Sequence, residues 1–74
     1  MKTTTHVKLT EKELQILKLL AFGFSNEEIA EELDISINTV KTYIVTILKK
    51  LEAKNRTHAA FLAGTNQLIN KKDF

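Results

Sequence analysis

Cysteine, proline and tryptophan are all absent from this 74-residue chain. Without cysteine there is no disulfide and no thiolate metal site to brace it. The two histidines, His6 and His58, are far apart in sequence and have no cysteine partner, so no metal centre is expected. No acid, base and nucleophile stand together at a catalytic spacing and no cofactor motif occurs, which argues against an enzyme. No apolar run approaches the ~18 residues needed to cross a bilayer. The N-terminus lacks the apolar stretch of a secretory signal, and the lack of cysteine fits a reducing cytoplasm. Without proline, repeats or low-complexity tracts, the chain has no sign of an interdomain linker.

What remains is one domain, near the lower size limit for a chain that builds a core unaided. Such a domain gains from a second subunit, so a homodimer is expected on size alone. The formal charge is only +2, but it is unevenly placed. Residues 8–36 carry three lysines against seven acidic residues, whereas residues 37–74 carry six lysines and one arginine against two acids. This separation predicts a basic face that attracts phosphate and an acidic face that repels it.

Start and stop signals place four helices, at about 11–22, 26–33, 37–51 and 56–65. Thr10 with Glu13, and Ser25 with Glu28, are capping boxes that open the first two. Leu14, Ile16, Leu17, Leu20 and Ala21 make the apolar stripe of the first helix, and Gly23 ends it. Ile29, Ala30 and Leu33 face inward on the second. After a turn at Asp34-Ile35, Ser36 caps a third helix whose buried stripe is Ile37, Val40, Ile44, Ile47, Leu48 and Leu51. Asn55 opens the fourth. The expected fold is therefore a compact all-α, four-helix domain over residues 9–69, with a flexible arm at 1–8 and a loose tail at 70–74.

The second and third helices, acidic and basic in turn and joined by a tight turn, read as a helix-turn-helix. Asn38, Lys41, Thr42, Val45 and Lys49 also step by three or four and form the outward stripe of the third helix. A recognition helix needs such a face, slim enough to approach base edges. Lys41 and Lys49 can bind phosphate or guanine, and the methyls of Thr42 and Val45 can pack on thymine. Asn38 can reach phosphate or adenine, and Ser36 and Thr39 at the helix N-terminus can cradle a phosphate. Taken singly, any of these residues is an ordinary solvated side chain; the arrangement is what points to double-stranded DNA.

The chain resembles the LuxR/GerE-type helix-turn-helix domain, the output module of many bacterial transcription regulators. The resemblance rests on Leu9-Thr10 with Glu13, Ile16-Leu17, Gly23, Ser25-Asn26, Glu28-Ile29-Ala30, Leu33 and Ile35-Ser36. It continues through Thr39-Val40-Lys41, Leu48, Lys50-Leu51, Asn55-Arg56-Thr57 and Ala59, covering about residues 9–65 without gaps. It implies a four-helix fold, sequence-specific DNA binding and dimerisation chiefly through the last helix. The family's third-helix contacts carry over to Thr39, Lys41, Thr42 and Val45, flanked by Asn38 and Lys49. Asn26 and Tyr43 complete the expected DNA-contacting set.

Three positions depart from the family pattern. Tyr43 stands where His is common and retains a hydroxyl for phosphate. Gln15 replaces a common Glu, which predicts the loss of an internal ion pair with the basic end of the domain. Glu52 replaces a common Gly, so it either takes a left-handed conformation or lets the third helix run on.

In the fourth helix, Ala59, Ala60 and Ala63 suit close packing on the first helix or on a twin subunit. The pattern leaves open whether Phe61 and Leu62 finish the core or form an exposed interface; the resemblance favours a dimer contact made by His58, Phe61, Leu62 and Thr65. Because Met1 lies so close to Leu9, a stand-alone GerE-like regulator is expected rather than an excised output domain. The competing reading is a protein-interaction module of the same fold that sequesters a regulator or contacts RNA polymerase.

Overall fold

Four α-helices run in order through residues 8–65, the part of the chain that the computed structural model describes. They are α1 (Glu11–Ala21), α2 (Asn26–Leu33), α3 (Ile37–Leu51) and α4 (Arg56–Thr65). The all-α expectation holds, and α1 alone departs from its expected span, ending at Ala21 with Phe22 as its C-cap. Most of the expected N-terminal arm and all of the 70–74 tail lie outside the described residues.

Both capping boxes form. The Glu13 N–H donates to Thr10 Oγ1 at 3.1 Å while the Thr10 N–H donates to Glu13 Oε1 at 2.9 Å. Ser25 and Glu28 repeat the exchange at the start of α2. Each pair satisfies two backbone donors that a helix N-terminus otherwise leaves without partners.

The first three helices end by one device. A residue with positive φ closes each: Gly23 (φ 94), Asp34 (φ 58) and Glu52 (φ 55). The following N–H then reaches back five residues along the chain, Phe24 to Leu19, Ile35 to Ala30 and Ala53 to Leu48, at 2.9–3.0 Å. This is the Schellman arrangement, and Phe24, Ile35 and Ala53 pack against the core just beyond it. Of the two conformations open to Glu52, the left-handed one is adopted. For a residue with a Cβ that conformation costs about 1 kcal/mol. Glu52→Gly is therefore expected to raise unfolding stability by roughly 1 kcal/mol in urea titrations. An unchanged midpoint would show that the strain is relieved elsewhere.

The core is drawn from all four helices: Ile16, Leu17 and Leu20, then Ile29 and Ala30, then Val40, Ile44, Ile47 and Leu51, then Ala59 and Ala63. Ala59 and Ala63 are fully buried, and their small side chains let α4 lie close along α1. The apolar periodicity overstates burial at some positions. Ile37 is 38 % exposed, although Val40 in the same turn is fully buried. Leu14, Leu33 and Leu48 are only half-buried. No helix among the described residues is long and apolar enough to cross a membrane.

Candidate nucleic-acid interface

One side of α3 is anchored and the other is open. Val40, Ile44, Ile47 and Leu51 are buried, whereas Asn38, Lys41, Thr42, Val45 and Lys49 are all exposed. Val45, a β-branched apolar residue that would ordinarily seek cover, is 54 % exposed in the middle of this face. Thr42 donates its hydroxyl to the Asn38 carbonyl at 3.1 Å, so its methyl group and an oxygen lone pair are what it offers outward.

At the head of α3, Ser36 Oγ accepts from the Thr39 N–H at 3.0 Å and lies 2.8 Å from Thr39 Oγ1. The two hydroxyls thus form one polar knob at the positive end of the helix. Tyr43 sits apart from this face. It precedes Val45 by two residues, about 160° away around a helix of 3.6 residues per turn. It is half-buried against the core and borders a groove with Glu13, Asn38, Thr39, Thr42 and Thr46.

Asn26 is not simply presented outward. Its Oδ1 accepts from Arg56 Nη1 at 2.7 Å, while Arg56 Nη2 donates to the Phe24 carbonyl at 2.8 Å. Arg56 thereby fastens the start of α4 to the start of α2. It also lines a depression with Ser25, Asn26, Glu27, Ile37 and Lys41, so two cations and one carboxylate meet beside the opening turn of α2. In the sequence Arg56 stands out only as part of the Asn55-Arg56-Thr57 motif. Its partners lie 30 and 32 residues away, and no local spacing could have named them.

The internal ion pair is present, carried by Glu13 and not by position 15. Lys50 Nζ donates to Glu13 Oε1 at 2.8 Å, and Gln15 is exposed. The neutral Gln15 makes no such pair, as expected of it, while Glu13 points inward from α1 and is only 5 % exposed. The Lys50 ammonium holds the Glu13 carboxyl below its ordinary value of 4.5; burial opposes this, and the Thr10 N–H assists it. A depressed carboxyl contributes stability that is complete above the unfolded value and is lost as pH falls through the folded one. Native stability should therefore fall as the solution is acidified below pH 4.5. In Glu13→Gln this part of the acid dependence should vanish, as denaturant midpoints at pH 7 and in acid would show.

The residues expected at a dimer contact divide into two kinds. Phe61 is 63 % exposed and Thr65 is exposed, whereas Leu62 is half-buried against the core. His58 is engaged locally: its Nδ1 accepts from the Lys54 N–H at 2.9 Å, and its own N–H donates to Asn55 Oδ1 at 2.8 Å. The ring therefore helps to close the turn before α4.

Comparison with known proteins agrees with this geometry. The family described as bacterial regulatory proteins, luxR family, matches residues 7–63. The transcriptional regulatory protein LiaR of Bacillus subtilis (strain 168) is 54 % identical over 65 residues, covering 88 % of this chain and 31 % of the relative. The response regulator protein VraR of Staphylococcus aureus (strain Mu3 / ATCC 700698) is 51 % identical over 61 residues, covering 82 % and 29 % respectively. VraR of Staphylococcus saprophyticus matches to the same extent. The chain thus spans about three-tenths of the length of these curated relatives.

Proposed function

The chain belongs to the luxR family of bacterial regulatory proteins, as a DNA-binding helix-turn-helix domain, and we propose that it reads a specific operator as a cytoplasmic homodimer. The family is one of regulators and not of enzymes. One observation carries the reading: Lys41, Thr42, Val45 and Lys49 are open on a helix whose opposite side is held by four buried aliphatic residues. A rigid support with a cationic, short-chained outer face is what entry into a major groove requires.

Each residue has a role in this proposal. Lys41 and Lys49 contact phosphate or guanine, Thr42 and Val45 meet base edges, and Asn38 flanks them. The Ser36–Thr39 knob binds backbone phosphate. Asn26 contributes through its amide while Arg56 holds it in place, and Tyr43 reaches phosphate from the side of the helix. Phe61, exposed on α4 beside Thr65, centres the proposed dimer contact, with His58 and Leu62 at its margin. A large exposed aromatic side chain on so small a domain supports an interface there.

Selection of bound duplexes from a random pool, followed by titration of the winning sequence, tests the proposal. If the dimer neutralises roughly six phosphates, log K should fall with log salt at a slope of about −5. Lys41→Ala, present twice in a dimer, should weaken binding and flatten that slope by about 2. A pool without any enriched sequence at physiological salt would reject DNA reading. It would favour the protein-interaction alternative, with Phe61 and the acidic face of α2 as the surfaces offered to a regulator or to RNA polymerase.

A further inference from the structure

The Glu13–Lys50 pair joins residues 37 positions apart. A single oxygen, Glu13 Oε1, accepts from Lys50 Nζ at 2.8 Å and from the Thr10 N–H at 2.9 Å. Thr10 is the N-cap of α1, and Lys50 lies in the last turn of α3. The bridge is therefore a strut from the head of α1 to the far end of the helix that carries the exposed cationic face.

Glu13 is buried but the Lys50 side chain is 37 % exposed, and such a pair is weak as a source of stability, since desolvation of the carboxylate and screening of the ammonium offset much of the attraction. Its directional hydrogen bonds do fix where the two elements sit. Lys50 also directly follows Lys49, which is exposed on the open face of α3. Lys50 itself lies on the Tyr43 side of α3, about 140° around the helix from Val45, where its long flexible stem would let a freed ammonium swing toward a flanking phosphate. Glu13 holds it. The same carboxylate borders the groove formed with Asn38, Thr39, Thr42, Tyr43 and Thr46, and Lys50 neutralises it there.

We propose that Glu13 is a positioning residue for DNA reading: by holding Lys50 it seats the far turn of α3 and keeps that cation away from phosphate. The inference rests on the DNA-reading function proposed above. It makes discrimination between sequences depend on a side chain that touches no DNA. A Lys50 released from Glu13 adds affinity for any duplex and lessens the advantage of the correct one, because phosphate contacts carry no sequence information.

The test uses the full chain as native protein, Glu13→Gln, Lys50→Met and the double variant, each confirmed folded by circular dichroism at the assay temperature. Affinities are measured for the duplex selected by the native protein and for a scrambled duplex, over a range of salt. Glu13→Gln should lower the ratio of specific to scrambled affinity by about tenfold and steepen the scrambled-duplex salt slope by about 1 per subunit. Lys50→Met should lower the ratio without steepening the slope. The double variant should match Lys50→Met, because the two changes act on one contact. Should a single variant unfold, the double variant, which leaves no lone charge, must show the lost discrimination with an unchanged slope. Folded variants that keep the native ratio and slope overturn the inference and leave the DNA reading intact. A native chain that enriches no sequence overturns both.

Discussion

Val45→Glu is expected to abolish specific DNA binding while leaving the fold unchanged. Val45 is 54 % exposed and has no place in the core, and glutamate is a better helix former than valine. Stability should stay within about 0.5 kcal/mol of the native chain. On DNA the outcome differs. In the major groove a carboxylate meets mostly acceptor groups, with the cytosine N4 amino group as its best partner, and it lies between two lines of phosphates. Since a dimer inserts two copies, specific affinity should fall by at least about 100-fold, or roughly 2.7 kcal/mol. Fluorescence anisotropy with the selected duplex gives the affinity, and a thermal melt of the free protein gives the control. Binding retained within about threefold would place Val45 outside the groove and remove the centre of the proposed reading face.

The second large effect is expected from the other side of the same helix. Ile47 is completely buried, packed in the cluster that anchors α3. Ile47→Ala removes three carbons and leaves a cavity, a change that typically costs about 2–5 kcal/mol. A domain of this size holds a total stability on the order of 3–9 kcal/mol, at roughly 0.05–0.15 kcal/mol per residue. The variant should therefore be largely unfolded or should melt at least about 10 °C lower. Chemical denaturation followed by circular dichroism measures the loss. A cost under about 1 kcal/mol would mean that α3 is not seated through Ile47. The two substitutions are only two residues apart and differ in outcome because they lie on opposite sides of one helix.

The helices were largely legible because their signals are local. Thr10 with Glu13 and Ser25 with Glu28 act across three residues, and the observed bonds are the expected ones. The two faces of α3 were legible for the same reason, since the spacing of Val40, Ile44, Ile47 and Leu51 is itself the geometry of a helix side. Legibility failed where the deciding partner was distant. Ile37 belongs to the apolar stripe by spacing, yet it is 38 % exposed at the first position of α3 while Val40 in the same turn is fully buried. Asp34 is legible as part of a turn, and its left-handed conformation is one that Asp tolerates better than most residues, but the spacing alone does not single it out over Ile35. Glu13 is legible from spacing as a cap of α1, but its ion pair with Lys50 is not, because the partner lies 37 residues away.

Sequence alone determined the four helices, their starting caps and a third helix with an apolar side and a polar, cationic side. These follow from interactions within one or two turns, which the order of residues encodes directly. The tertiary structure decided which cations stay available. Lys41 and Lys49 are left exposed, whereas Lys50 is bound to Glu13 and Arg56 to Asn26 and the Phe24 carbonyl. That division depends on bringing residues 30 or more positions apart within hydrogen-bond distance, which only the packing of α1, α2 and α4 around α3 accomplishes.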